Sequence, residues 1–281
     1  MPENIKSVGI YYFSGTGNTQ FVGELISEEL SRRLAVECNP IEKTFLPLPA
    51  FDCLGFGFPV YDYRPPKFVE EFVDSLPKNT TPVPAFIFAT MGAFSGEAML
   101  LLAKKLKKKN FFPIDSFDVI MPGNDFTMLL SKDSKIIRKN FYISSEKVER
   151  IQAWAKQLRK KLSAPETLSE SMPKSKWMGK LFSKILYYPF WKLIQWTMRL
   201  MKVKPELCTQ CGYCAQICPV QNIELSPYPK IGNHCVYCLR CINFCPHEAI
   251  QISRFTVGKA RYKGPLAIVK NPRLFSTNKK K

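Results

Sequence analysis

The sequence predicts an α/β fold, a doubly wound parallel sheet of five strands, followed by a small domain rich in cysteine. Two observations lead to this prediction. In the first 162 residues, apolar runs of strand type alternate with amphipathic helical stretches, a pattern typical of parallel sheets covered by helices on both faces. Farther along the chain, eight of the ten cysteines fall between Cys208 and Cys245.

The elements of the sheet follow in order along the chain. A strand is predicted over residues 5–13, because this run is apolar and contains β-branched and aromatic residues. A turn over residues 14–19 ends it, and an amphipathic helix then runs to Leu30. Further strands are predicted at residues 51–58, 84–89 and 117–121, and further helices near residues 66–76, 97–109 and 145–162. In such a sheet, ligand loops lie at the carboxyl ends of the strands.

The turn over residues 14–19 has the composition of a phosphate-binding loop. It reads Ser-Gly-Thr-Gly-Asn-Thr and contains no lysine or arginine. Its hydroxyls and backbone N–H groups, at the start of a helix, suit the compact terminal phosphate of a mononucleotide. A Walker loop would need Gly-Lys followed by Ser or Thr, and a dinucleotide fingerprint would need a third glycine at Gln20. Neither pattern is present.

This part of the chain resembles the flavodoxin family, whose phosphate loop is the same Ser/Thr-x-Thr-Gly-Asn-Thr at the end of the first strand. The resemblance implies that FMN binds there, with its ring between the loops that follow the next strands, where Tyr61 and Phe94 are the aromatic candidates. The implied FMN-binding residues are Ser14, Gly15, Thr16, Gly17, Asn18, Thr19, Pro59, Val60, Tyr61, Thr90, Met91, Gly92, Ala93, Phe94, Gly96 and Asn124.

The cysteines form one spacing that occurs twice: two residues, two residues, three residues and then proline. The first run is Cys208, Cys211, Cys214 and Cys218-Pro219, and the second is Cys235, Cys238, Cys241 and Cys245-Pro246. This spacing lets one tight loop direct three thiolates at neighbouring iron corners of a 4Fe-4S cluster. Zinc ribbons use paired cysteines and give no role to a third cysteine followed by Cys-Pro, so zinc fits less well. Disulfides fit less well too, because no secretory signal pattern is seen before the first strand.

Residues 203–252 resemble the two-cluster module of bacterial ferredoxins. In that family the last cysteine of each run crosses to the other cluster. The resemblance implies a small α+β domain with two 4Fe-4S clusters. One would be held by Cys208, Cys211, Cys214 and Cys245, and the other by Cys235, Cys238, Cys241 and Cys218.

The net charge of +18 belongs to the second half of the chain. Residues 1–150 contain 18 basic and 18 acidic residues, which leaves 23 basic and 5 acidic residues in 151–281. The expected partners are therefore redox proteins with acidic surfaces, or an anionic membrane surface. Nucleic acid is not expected, because no nucleic-acid-binding signature accompanies the charge.

A basic, aromatic connector precedes the cysteine runs. Residues 176–204 contain seven basic residues and no acidic one, and Pro189 divides them into two short amphipathic helices. No run approaches the 18 uncharged residues that would suggest a membrane span. Two interpretations stay open: the apolar stripes pack between the domains, or they lie in an anionic membrane interface.

The whole chain resembles a fusion family of anaerobic bacteria and archaea that joins a flavodoxin-like domain to a two-cluster ferredoxin domain. The predicted domains are a flavodoxin-like FMN-binding domain (1–162), a linker with the basic amphipathic connector (163–202), the ferredoxin domain (203–253) and a basic tail (254–281). Oxygen-sensitive clusters and the absence of an export pattern predict a cytoplasmic location, with peripheral membrane association as the alternative.

Three functions stay open from the sequence. The favoured one is an electron carrier between larger redox proteins, in which FMN and the two clusters form one path. The second is an FMN- and iron–sulfur-dependent reductase that acts on a small acceptor such as a quinone. The third is a peripheral membrane redox adaptor. The sequence contains no constellation of general acid, general base and nucleophile.

Overall fold

The computed structural model describes residues 4–125, 130–135, 143–175 and 200–265, together with Leu193 and Trp196. Most of the predicted connector helices and the tail beyond residue 265 lie outside these residues. Within the described part of the chain, no helix combines the length and apolar character that crossing a bilayer requires.

The chain divides into two compact units. The sheet unit comprises Met1–Ser14, Thr19–Met121 and Ser144–Trp191. The cysteine unit comprises Gly15–Asn18, Pro122–Ile143 and Lys192–Lys281. The short segment Gly15–Asn18 therefore belongs, by its contacts, to the same unit as both cysteine runs.

Five parallel strands form the sheet unit, in the order β2-β1-β3-β4-β5. The strands are β1 (Ser7–Tyr12), β2 (Ala35–Pro40), β3 (Cys53–Pro59), β4 (Val83–Met91) and β5 (Phe111–Ile120). This is the strand order of flavodoxin-like sheets, in which the strands stay parallel and the order in which they are added reverses between β1 and β3. The predicted fold class is therefore confirmed.

The helices α1 (Asn18–Leu30), α2 (Lys67–Ser75), α3 (Ala98–Lys108) and α4 (Ser145–Leu162) follow the predicted positions. Each buries one stripe of apolar residues; on α1 the stripe includes Val22, Ile26 and Leu30. The hydroxyl of Ser144 caps α4 by accepting a hydrogen bond from the Lys147 backbone N–H at 3.4 Å.

Strand β2 had no counterpart among the strands located from the sequence. It pairs in parallel with β1 at the edge of the sheet, and none of its six residues is fully buried. An edge strand with one exposed side needs no continuous apolar run, so β2 accommodates the polar residues Glu37 and Asn39. Without such a run, the sequence pattern does not identify β2 as a strand.

Large rings in β4 are packed against glycines in β3. Gly55 lies opposite Phe86, and Gly57 lies opposite Phe88, with both rings fully buried. A Cβ atom at Gly55 would lie 2.3 Å from Phe86 Cζ, and one at Gly57 would lie 2.1 Å from Phe88 Cζ. The two glycines therefore provide the space for the aromatic rings at the centre of the sheet.

The cysteine unit is a small α+β structure with an internal repeat. Its strands β6 (Lys202–Val203) and β9 (Ile250–Gln251) pair antiparallel, as do β7 (Ile223–Leu225) and β8 (Pro229–Ile231). The helices are α5 (Tyr213–Gln216) and α6 (Arg240–Asn243). Each helix contains the third cysteine of one run, Cys214 or Cys241, and each is preceded by a residue with positive φ, Gly212 at 71° and Leu239 at 59°. The core between them consists of Cys214, Leu239, Ile242 and Ile250.

Candidate functional site

Two cavities in the cysteine unit are each lined by four cysteines. The first, called cavity A here, has about 380 Å³ of empty space, part of it open to solvent, and its lining includes Cys218, Cys235, Cys238 and Cys241. The second, cavity B, has about 340 Å³ of empty space, also partly open to solvent, and its lining includes Cys208, Cys211, Cys214 and Cys245. Each cavity thus combines the first three cysteines of one run with the last cysteine of the other.

Backbone N–H groups donate to several of these sulfurs. Asn222 N–H donates to Cys218 Sγ at 3.2 Å, and Ala249 N–H donates to Cys245 Sγ at 3.3 Å. Both donors lie four residues after the last cysteine of a run, so the repeat extends to the hydrogen bonds. Such bonds favour the thiolate form, which is the form that binds iron.

Burial raises the pKa of several cavity thiols. It raises the pKa of Cys238 to about 12, against an opposing hydrogen bond from the Arg240 backbone and the charge of Arg240. Burial also raises the pKa of Cys241 well above its usual value, and the neighbouring thiols Cys238 and Cys235 add to this shift. Buried thiolates need a cationic partner to exist at neutral pH. An iron–sulfur cluster supplies one, so the donor set and the cavities fit this group.

All ten cysteines lie in the described part of the chain, and each is a free thiol without a disulfide partner. Within that part, no group of three or more His, Cys, Asp or Glu side chains is placed to hold a single metal ion. The eight cysteines of the two runs surround cavities instead.

The predicted phosphate loop lies between β1 and α1, at the switch point of the sheet. Ser14, Thr16 and Thr19 are all buried, and Gly17 has φ of 101°, a conformation that favours glycine. In the sheet unit, Thr19 Oγ1 hydrogen-bonds Thr90 Oγ1 at 2.8 Å, which joins the start of α1 to the end of β4. The loop offers hydroxyls and helix-terminal N–H groups without a cationic side chain, so it fits a mononucleotide phosphate.

Within the cysteine unit, the segment Gly15–Asn18 has several partners. Arg240 Nε donates to the Gly15 carbonyl at 3.0 Å, and the Tyr262 hydroxyl hydrogen-bonds Asn18 Oδ1. Gly264 has φ of 81°, and a Cβ atom there would lie 2.0 Å from the Thr16 carbonyl oxygen. The backbone at Gly264 therefore packs directly on the loop, at a distance that requires glycine.

Asparagine side chains extend this network to a cysteine run. Asn124 Nδ2, a predicted FMN ligand, donates to the Cys238 carbonyl at 3.0 Å. Asn243 Nδ2 donates to the Asn124 carbonyl at 3.2 Å, and its Oδ1 accepts from Tyr262 N–H at 2.9 Å. The structure thus joins Asn124 to the cysteine run, and its role toward FMN stays a prediction.

The predicted flavin-ring residues lie in two loops of the sheet unit, after β3 and after β4. Phe94 stacks on Tyr63, with 4.9 Å between the ring centroids and 18° between the planes. Tyr63 has φ of 65°, and Gly96, with φ of 57°, leaves the room it needs, since a Cβ there would lie 2.6 Å from Tyr63 Cβ. A Cβ added at Gly92 would have no atom of the described residues within 4 Å. The remaining predicted residues of these loops are Pro59, Val60, Tyr61, Thr90, Met91 and Ala93.

The sequence reasoning missed four residues of the cysteine unit: Arg240, Asn243, Arg261 and Tyr262. The position of Arg240 between Cys238 and Cys241 could have predicted that its side chain lies near these cysteines. No spacing pattern distinguishes Arg261 or Tyr262, because their side-chain partners Gln251 and Asn18 lie 10 and 244 residues away along the chain.

Comparisons with known proteins identify a matching segment and several similar structures. A family model described as a 4Fe-4S binding domain matches residues 201–224, which contain the first cysteine run. The chain is similar to a flavodoxin from the domain Archaea, with 19% identity and a TM-score of 0.41 over 56% of this chain and 98% of that chain. It is similar to flavodoxin 1 from Bacillus cereus, with 16% identity and a TM-score of 0.40 over 58% of this chain and 100% of that chain.

It is also similar to the rubredoxin oxygen:oxidoreductase of the anaerobe Desulfovibrio gigas, with 15% identity and a TM-score of 0.41 over 58% of this chain and 38% of that chain. A search of curated proteins found no match. The strand order of the sheet, β2-β1-β3-β4-β5, identifies the fold. The chain therefore has a flavodoxin-like sheet followed by a small domain whose first cysteine run belongs to a 4Fe-4S binding domain.

Proposed function

We propose that this chain is an electron-transfer protein that binds FMN at the sheet and two 4Fe-4S clusters in cavities A and B. The observation that supports it most is the lining of the cavities, each by three cysteines of one run and the last cysteine of the other. This is the crossed arrangement of two-cluster ferredoxins. When bound, the clusters supply one-electron chemistry and FMN supplies exchange of one or two electrons.

The residues of the cysteine unit hold and orient the clusters. Each cavity supplies four thiolates, and the N–H groups of Asn222 and Ala249 stabilise the crossing sulfurs, Cys218 and Cys245. The lining includes apolar core residues, Leu239 in cavity A and Ile250 in cavity B, which limit the access of water to a bound cluster. Exclusion of water and hydrogen bonds to sulfur both adjust the reduction potential of a bound cluster.

The loop of residues 14–19 binds the FMN phosphate in this proposal. Its backbone N–H groups at the start of α1 and its hydroxyls supply the hydrogen bonds, and the helix dipole favours the negative charge. The loops after β3 and β4, with the stacked pair of Tyr63 and Phe94, form the surroundings proposed for the ring.

The partners proposed are redox proteins with acidic surfaces, because the chain concentrates its excess of basic residues in 151–281. Electron transfer to a protein partner is favoured over reduction of a small acceptor. Turnover with a panel of quinones and other small acceptors separates the two: rapid multiple turnover would favour the reductase.

Metal and sulfide analysis tests the proposal. Because two complete sets of four thiolates are available, anaerobically prepared protein is expected to contain about eight iron and about eight acid-labile sulfide per chain. The measurement is colorimetric iron and sulfide determination against quantitative amino-acid analysis. Tightly bound zinc without sulfide would contradict the iron–sulfur assignment.

The hydroxyl of Thr16 in the phosphate loop is expected to bind the FMN phosphate. Thr16→Val removes a hydroxyl without changing the side chain's shape, so it is expected to weaken FMN binding about tenfold or more, the value of a hydrogen bond to a charged group. Riboflavin, which has no phosphate, is expected to bind more weakly than FMN to the parent protein and equally well to both proteins. Flavin fluorescence titrations measure all four affinities. Equal loss for FMN and riboflavin would show that Thr16 does not act on the phosphate.

Thr19 requires a different design, because its hydroxyl bonds that of Thr90. Thr19→Val alone leaves the buried Thr90 hydroxyl without this partner and is expected to cost about 1–3 kcal/mol of stability. The double variant Thr19→Val with Thr90→Val removes both hydroxyls and serves as the matched control for folding.

A further inference from the structure

Two arginines of the cysteine unit lie beside the two cavities, one beside each. Arg240 is partly buried and lines cavity A. Besides its bond to Gly15, its Nη1 donates to the Ile217 carbonyl at 3.3 Å, directly before Cys218 in the chain. Its charge also acts on Cys238, a second cysteine of the same cavity. The guanidinium is therefore held between the two runs at cavity A.

Arg261 is more deeply buried than Arg240, with 8% of its surface exposed. Its Nη2 donates to Gln251 Oε1 at 2.8 Å and lies 3.4 Å from the Ile250 carbonyl, which belongs to a residue that lines cavity B. Its Nε and Nη1 are buried and have no hydrogen-bond partner among the residues that the structure describes. Glu248 and Cys245 act on it electrostatically, and Cys245 lines cavity B.

A buried guanidinium with two unmatched donors is costly unless an anion lies nearby. Glu248 is one such anion, but it forms an ion pair with Lys132 at 2.7 Å. Two cations thus share one carboxylate beside cavity B, which leaves an excess positive charge. A cluster with four thiolate ligands is an anion, and in cavity B it would balance this excess.

We propose that each cavity has its own potential-setting arginine, Arg240 at cavity A and Arg261 at cavity B. The inference rests on the proposed function, since it concerns the clusters assigned to these cavities. Reduction adds one electron and one negative charge to a cluster, so a nearby cation stabilises the reduced form and raises the reduction potential.

The test is a potentiometric titration of the anaerobic, full-length, cluster-loaded protein, followed by electron paramagnetic resonance. Arg240→Gln and Arg261→Gln are each expected to lower the reduction potential of a single one-electron step. The two variants are expected to affect different steps. The expected change is about tenfold in the reduction equilibrium, which is about 59 mV for one electron.

Three further variants separate charge from packing. Arg240→Lys keeps the charge and loses the paired donors to Gly15 and Ile217, so its potential is expected to stay near that of the parent. Lys263→Gln removes an exposed cation from the same unit and is expected to shift neither step, because solvent screens it. Glu248→Gln removes a carboxylate beside Arg261 and is expected to raise the step that Arg261→Gln lowers. This last variant tests cavity B even if Arg261→Gln does not fold.

Iron content distinguishes the two possible failures. A parent protein without iron and sulfide would overturn the proposed function. A parent and variants with about eight iron per chain, and the same two potentials throughout, would overturn the role of the arginines alone. A shift of both steps by Lys263→Gln as large as that by Arg240→Gln would also overturn it, because the effect would then follow net charge instead of position.

Discussion

Replacing Cys218 and Cys235 together by alanine is expected to remove the same iron as replacing either one alone, about four per chain. Both residues line cavity A, although they belong to different cysteine runs. Replacing Cys218 together with Cys211 is expected to remove all of the iron, because Cys211 lines cavity B. Alanine is preferred to serine, whose hydroxyl can take the place of a thiolate ligand.

Iron determination and the electron paramagnetic resonance of the reduced protein measure these losses. If each run held its own cluster, the results would be exchanged: the pair Cys218 and Cys211 would lose one cluster, and the pair Cys218 and Cys235 would lose both. Cys38→Ala is the matched control, since this free thiol belongs to neither run and lines neither cavity. It is expected to leave the iron content unchanged.

Local sequence patterns predicted the sheet well where the pattern and the burial agree. β4 is buried along eight of its nine residues, and its continuous apolar run marked it as a strand. β2 is half exposed at the edge, so its residues carry no such run, and it was not located. The alternation of strands and helices predicted a doubly wound parallel sheet of five strands, and the order β2-β1-β3-β4-β5 comes from the structure.

The candidate site shows the same division between local and long-range information. The cysteine spacing is local, and it singled out the eight cysteines of the two runs. The crossing of each last cysteine to the other cluster was implied by the resemblance to two-cluster ferredoxins, and it stays a prediction. The hydrogen bonds of Arg240 to Gly15 and of Tyr262 to Asn18 join residues 225 and 244 positions apart, and no periodicity encodes such pairs. The stack of Tyr63 on Phe94 depends on the positive φ of Tyr63 and on the close approach of Gly96, which are properties of the folded loops.

The largest effect on stability is expected from Gly57→Ala. The new methyl group would lie 2.1 Å from Phe88 Cζ, and the Phe88 ring is fully buried and paired across the sheet with Gly57. Because a close-packed core cannot move the ring without displacing its neighbours, the substitution is expected to destabilise the sheet unit by about 2–3 kcal/mol. The physical cause is overpacking, since the backbone conformation at Gly57 is an ordinary strand conformation.

Urea unfolding followed by the fluorescence of Trp154 measures this change in the sheet unit. Trp154 stacks on Phe117 with 5.0 Å between the ring centroids. Replacing the other tryptophans of the sequence by phenylalanine leaves Trp154 as the single tryptophan; these are Trp177, Trp191 and Trp196. Gly92→Ala is the control, because an added Cβ there meets no atom of the described chain within 4 Å, and it is expected to be neutral or slightly stabilising. Adding Phe88→Leu to Gly57→Ala makes room for the methyl group, so the double variant is expected to be more stable than the sum of the two single effects. Strictly additive effects would show that the ring at Phe88 is not what excludes a side chain at Gly57.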